Sequence, residues 1–451
     1  MPRIHARYGM DSRNRLDKRP AARVNSPVTT LIETIYRMHP RHQPMARAAL
    51  RRLIGPGLLV AVGYVDPGNW ATEIAAGSAY GYALLGVVFL ASALGLLFQN
   101  MAARLGVATG EDLARLSARL LPRPLARLCW LAAEAAILAT ALAELIGGAL
   151  ALELLFGLPL VLGVTVAAAG TLLVMAMSQA FQRLHERVVG VLMAVVALAF
   201  GYLLTRAHPE PAEIWHGMAA GRRLFGDHDM LALSLGILGA TIMPHNLYLH
   251  SGLVAERCAG MGAAERHRAL HVVETDTGVS LLLATLANAA ILIVAAASLN
   301  HLGRPIGSLA EAYHALGAQL GPLAAIVFAV ALYAAGQSSA ITGVLTGRLL
   351  SRGFRGRESR LWLRGIATRL AAVCLAIGLF ELVPQAGPDR LLVLSQCALG
   401  LALPFALLPM LLIARRHPRL GRRAFSPAFM LCAVLGTALV LALDAYLLIG
   451  G

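Results

Sequence analysis

Asp66, Pro67, Gly68 and Asn69 lie side by side within an apolar run from about residue 54 to 79. A carboxylate there has no water to solvate its charge, and Pro-Gly weakens a helix that hydrocarbon would otherwise require to be continuous. One arrangement answers all of these costs. The helix is broken at mid-membrane, and its freed carbonyls and side chains face a cavity that holds a cation. A second stretch, Met243-Pro244-His245, interrupts another apolar run at about 231–254. Together the breaks offer hard oxygens from Asp66 and Asn69, backbone carbonyls near Gly63 and Ala240, and the thioether of Met243. Oxygen alone suits Ca²⁺, Mg²⁺ and Mn²⁺, whereas sulfur is a poor ligand for the hardest cations. A mixed set therefore favours a divalent transition metal such as Mn²⁺ or Fe²⁺. The competing readings are structural: a proline kink beside a satisfied aspartate, and a methionine that only packs.

Other ionisable groups are expected inside the membrane. Glu134 and Glu144 share one apolar run, and at 100° per residue they stand about 80° apart, near enough to line one polar path. His245 adjoins the second break, and an unperturbed imidazole titrates near neutral pH. Arg369 is the one basic residue inside a span and needs an acidic or carbonyl partner. A paired structural carboxylate is the alternative for Glu144, and a hydrogen bond between helices is the alternative for His245. Asp276 is expected to cap the start of the seventh span, and Asp444 is given no function.

The elements that must position these groups are membrane helices. Of 451 residues, 58% are hydrophobic and 14% charged, and the mean hydropathy is +0.67. Apolar runs of about 20 residues recur along the chain, as in a polytopic helical membrane protein. Eleven spans are predicted, at about 54–79, 82–102, 128–152, 159–178, 188–205, 231–254, 278–299, 320–346, 366–383, 391–413 and 427–449. The one long polar connection expected between them is 206–230. Residues 1–52 form a basic tail, whose second part is predicted to be an amphipathic helix on the membrane surface. The membrane domain is predicted to occupy 53–451.

Thirty-three of the 39 Lys and Arg residues fall in the tail and in alternate loops on one side, and five in the loops of the other. The positive-inside rule then sets the N-terminus in the cytoplasm and the C-terminus outside. The same distribution accounts for the net charge of +15 without nucleic acid. The five cysteines form no CxxC and are read as small core residues, not as disulfides or a zinc site. No nucleotide loop, zinc-hydrolase motif or nucleophile–base pair is visible, so no enzyme activity or cofactor is expected. Spans 1 and 6, the two with breaks, stand five apart. Two inverted repeats of five spans, about 53–206 and 231–414, would place them so.

Asp66-Pro67-Gly68-Asn69 and Met243-Pro244-His245 resemble the DPGN and MPH motifs of the Nramp family of proton-coupled divalent-metal transporters. Ala108-Thr109-Gly110, Asn246-Leu247-Tyr248-Leu249-His250-Ser251, Ala335-Gly336-Gln337-Ser338-Ser339, Ser395-Gln396 and Leu403-Pro404-Phe405 agree as well, and the resemblance covers about residues 50–450. It implies an all-α inverted-repeat (5+5) fold of the LeuT type in the bacterial inner membrane. The metal would be coordinated by Asp66, Asn69, Met243, the carbonyls of Gly63 and Ala240 and, in some states, Gln396. The proton route or its salt-bridge network would use Asp66, His245, Glu144, Glu134 and Arg369. The implied substrates are Mn²⁺, Fe²⁺ or Cd²⁺, imported with H⁺. Two departures stand out. The family pattern Ala-Thr-Asp-Leu-Ala-Glu becomes Ala139-Thr140-Ala141-Leu142-Ala143-Glu144, which removes the aspartate generally assigned to proton transfer. Gly63 stands where the family usually has alanine, a change expected to be mild because only the carbonyl would be used. A metal-gated channel or sensor and an amino-acid transporter of the same fold are the alternatives, and Asp66 with Met243 in one cavity would disfavour an anionic substrate.

Overall fold

A computed structural model describes residues 53–450 except 181–183, 222–226, 357–360, 383–386, 418–419 and 421–424, together with residues 31 and 34. The remainder of the basic N-terminal segment lies outside the described residues. Seventeen α-helices follow one another among the described residues. They are α1 (Pro56–Ala61), α2 (Pro67–Tyr80), α3 (Leu85–Thr109), α4 (Leu113–Leu120), α5 (Arg123–Phe156), α6 (Leu160–Ala180), α7 (Leu184–Ala207), α8 (Pro211–Ala220) and α9 (His228–Thr241). The chain continues through α10 (Pro244–Arg257), α11 (Ala263–Leu299), α12 (Leu309–Leu320), α13 (Pro322–Arg355), α14 (Leu361–Leu382), α15 (Gly387–Ala402), α16 (Pro404–Arg416) and α17 (Pro427–Gly450).

Ten described stretches are long and apolar enough to cross a membrane, and one of them, Pro67–Thr109, contains both α2 and α3. Gly81, with φ of +57°, ends α2 and starts the 3₁₀ turn Gly81–Leu84 that leads into α3. Divided there, and with the short apolar stretch Pro56–Val65 joined to α2, the chain makes the eleven predicted crossings. The long connection before α9 contains α8, and a second one, between α11 and α13, folds as α12. Helices α5 and α13 pack closely together, with α7 against α13 and α15 against α5, while α11 lies against α2, α3 and α7. Leucines face outward on the peripheral helices, among them Leu173, Leu198, Leu382 and Leu435. An apolar exterior of this kind suits a lipid solvent and not water.

The structure corrects two sequence expectations here. Asp276 does not cap the start of its own helix, because α11 begins at Ala263, well before the apolar run. Its carboxylate instead accepts from the backbone N–H groups of Gly55 (3.1 Å) and Gly57 (2.6 Å) at the start of α1. Arg257 secures the same end by donating to the Ile54 carbonyl (2.7 Å) and to Glu186 (2.5 Å). The cysteines are all free, but only Cys129 and Cys258 are buried; Cys374, Cys397 and Cys432 are exposed. These three lie on membrane-spanning helices, where a small apolar thiol can face lipid as readily as core.

Candidate metal site at two helix breaks

The first break is built by local chemistry. Pro67 opens α2, where its missing N–H is not needed, and Asp66 is the extended residue that caps it. Asp66 Oδ1 accepts from the Asn69 backbone N–H (2.9 Å) and from Asn69 Nδ2 (3.0 Å). Before the cap, the chain passes through a single 3₁₀ turn, Val62–Val65, so α1 and α2 do not form one continuous helix. The second break repeats the device. Helix α9 ends at Thr241, Met243 is extended, and Pro244 opens α10.

Asn69 joins the two breaks. Its Nδ2 donates to the Ala240 carbonyl (3.2 Å), and its Oδ1 accepts from Thr241 Oγ1 (3.2 Å). Asp66, Asn69 and Met243 have no exposure and Gln396 only 4%, so all four side chains are buried. Gln396 lies across the first turn of α2, where a Cβ on Gly68 would come 1.8 Å from its Nε2. That close approach requires glycine. Asp66 Oδ2 and Gln396 Oε1 are buried and lack hydrogen-bond partners among the described residues. Unsatisfied acceptors of this kind are costly unless something else occupies them, and a cation is such a group. Among the described residues no cluster of three His, Cys, Asp or Glu side chains could hold a metal. The donors at the breaks are one carboxylate with neutral oxygens and a thioether, a set suited to an ion that must also leave.

The predicted proton-route carboxylates Glu144 and Glu134 occupy two places on α5. At mid-helix, Glu144 Oε2 accepts from Arg369 Nη2 (2.9 Å), which also donates to the Ala340 carbonyl (2.6 Å). Both side chains of this pair are 1% exposed. Nearer the start of α5, Glu134 pairs with Arg364 and accepts from Trp130 Nε1 (3.1 Å). The two carboxylates thus face two arginines of α14. His245 is buried, with its Nδ1 3.4 Å from Thr140 Oγ1 and its Nε2 without a partner among the described residues. Thr140 lies one turn before Glu144, on the same side of α5. Ala141 is packed into the apolar core.

Several polar groups escaped the sequence reading. Thr140 is one. Glu73 is another: it is fully buried, and neither carboxyl oxygen has a hydrogen-bond partner among the described residues. It follows Asp66 by seven residues, which places it two turns away on the same face of α2. That spacing was a usable signal. Asp444, given no function, lines a cavity of about 190 Å³ together with Thr72 and Gln396.

Comparison with known proteins agrees with this architecture. Residues 57–450 match the Nramp profile, described as natural resistance-associated macrophage protein-like. A divalent metal cation transporter MntH from Brucella suis is 41% identical over 396 residues, covering 87% of each chain. Divalent metal cation transporter MntH 1 of Pseudomonas aeruginosa is 47% identical over 379 residues, covering 82% of this chain and 85% of its own. The crystal structure of the Eremococcus coleocola manganese transporter superimposes with a TM-score of 0.80 at 32% identity, covering 89% of this chain and 88% of that one. Mhp1, a nucleobase-cation-symport-1 family transporter, shares the fold at 17% identity and a TM-score of 0.55. With the profile spanning nearly the whole membrane domain, and relatives above 40% identity over most of their length, this chain belongs to the Nramp family.

Proposed function

We propose that the chain is a secondary transporter that imports Mn²⁺ and related divalent transition metals, such as Fe²⁺ and Cd²⁺, across the bacterial cytoplasmic membrane together with H⁺. The observation that carries this reading is the buried Asp66 Oδ2 beside two helix breaks, which has no hydrogen-bond partner among the described residues. Asn69, the Ala240 carbonyl and Met243 line those breaks as further donors. Two curated relatives are named as divalent metal cation transporters and one solved relative as a manganese transporter, which points the same way. An amino-acid substrate is disfavoured because the Asn69 N–H that could receive its carboxylate is already given to Asp66. A channel is disfavoured because the matching breaks fit two inverted repeats that move against each other, as in alternating access.

Several finer points belong to the same proposal. The arginine distribution supports a cytoplasmic N-terminus and an external C-terminus. The matching breaks support two inverted halves, about 53–206 and 231–414, with α17 outside them. The proton would pass from Asp66 and His245 by Thr140 to Glu144, held by Arg369, with Glu134 nearer the start of α5 and paired with Arg364 of α14. With Ala141 in place of a carboxylate, proton influx with metal is expected to be weak or to depend on another route through His245 and Glu144. Radioactive Mn²⁺ uptake into proteoliposomes, with internal pH recorded alongside, tests both parts. Uptake with little acidification fits the proposal, and an absence of Mn²⁺ uptake by folded protein rejects it.

A further inference from the structure

The space in front of the first break is filled from the second. A Cβ on Gly63 would come 2.2 Å from Asn246 Nδ2 and 3.1 Å from both Cγ and Oδ1 of that side chain. The carboxamide of Asn246 therefore rests directly against the Gly63 backbone, in the position a side chain there would take. A side chain at 63 would displace this carboxamide, an effect separate from any use of the Gly63 carbonyl. From this seat Asn246 Nδ2 donates to Met243 Sδ at 3.7 Å. Asn246 is fully buried, and its Oδ1 has no hydrogen-bond partner among the described residues.

We propose that Asn246, seated where Gly63 lacks a side chain, is a positioning residue that holds the Met243 sulfur at the ion chamber and thereby sets the preference for soft over hard divalent ions. This rests on the metal-transport reading above. A methionine side chain has three rotatable bonds, and a sulfur left free to wander must be ordered when an ion binds. The N–H···S contact from the first turn of α10 reduces that freedom in advance. Plain packing is a poor account of Asn246, because a leucine of similar size would fill the space without burying an unpaired carbonyl. A buried carboxamide is explained if its N–H fixes the thioether. Soft Cd²⁺ depends on that sulfur more than Mn²⁺ does, so the contact should appear in selectivity and not in general affinity.

The test is calorimetric titration of Mn²⁺ and of Cd²⁺ into the purified full chain. Wild type is compared with Asn246→Leu, Gly63→Ala, Met243→Ala and the Asn246→Leu/Met243→Ala double variant. Loss of one positioning hydrogen bond should weaken Cd²⁺ by about fivefold to tenfold and Mn²⁺ by less than about twofold. Gly63→Ala, which displaces the carboxamide, should change the ratio in the same direction. In the Met243→Ala background, Asn246→Leu should leave the Cd²⁺ to Mn²⁺ ratio where it was, because the sulfur it acts through is gone. If Asn246→Leu does not fold, Asn246→Ala carries the same comparison. An unchanged ratio in the single variant, or an equal change with and without Met243, overturns the proposal. Failure of the underlying metal reading would look different: the wild type itself would bind neither ion.

Discussion

The buried pair between Glu144 and Arg369 can be separated into its two partners by substitution. Arg369→Met removes the cation and leaves the Glu144 carboxylate at 1% exposure without its 2.9 Å partner. Breaking a buried pair from one side costs about 3–5 kcal/mol, because the remaining charge keeps its desolvation penalty and loses its compensation. Glu144→Met is expected to cost less, since Arg369 retains the Ala340 carbonyl at 2.6 Å. Replacing both residues with methionine removes both charges, and stability should return to within about 1–2 kcal/mol of wild type. The double variant should therefore be more stable than Arg369→Met alone, with a coupling energy of at least about 2 kcal/mol. Equilibrium unfolding in mixed micelles, driven by titration with a denaturing detergent, measures all four proteins on one scale. Strict additivity, with the double variant the least stable of the four, would refute the pairing. The same proteins also test function: if Glu144 carries protons, the double variant should fold well yet acidify liposomes less per metal ion than wild type.

Two further expectations concern coupling and the closed end of α1. Ala141→Asp should raise the proton influx that accompanies each Mn²⁺ ion, measured as internal acidification and metal uptake in the same liposomes; no increase would mean that the proton path avoids this face of α5. Asp276→Leu should lower stability by about 1–2 kcal/mol, the value of a lost helix N-terminal cap, while Asp276→Asn, which keeps one acceptor oxygen, should cost less; equal losses would mean that the N–H contacts of Gly55 and Gly57 contribute little.

The two breaks were legible in the sequence because each combines a proline with polar residues inside an apolar run, and few structures other than a mid-membrane interruption accommodate that. The eleven crossings were legible for the same reason of composition. Lateral partners were not. Glu134 and Glu144 could be placed on one helix, but finding Arg364 and Arg369 opposite them depends on how α5 and α14 rotate against each other. Asp276 was misread because the apolar run starts near residue 278 while the helix starts at Ala263, and polar residues outside the bilayer continue a helix without any change of hydropathy to mark it. Asn246 was quoted for its resemblance to the family and assigned no work. Its role depends on an atom that Gly63 lacks, and only the packing of two distant segments reveals that.

We read Asp66 as the acidic anchor of a transported divalent ion, held by the carboxyl oxygen that has no hydrogen-bond partner among the described residues. Mn²⁺ uptake by proteoliposomes containing wild type or Asp66→Ala tests it most directly, with equal reconstitution and monodisperse protein established for both. Uptake by the wild type and background counts for Asp66→Ala are expected. Transport by a folded Asp66→Ala variant at the wild-type rate would contradict the account.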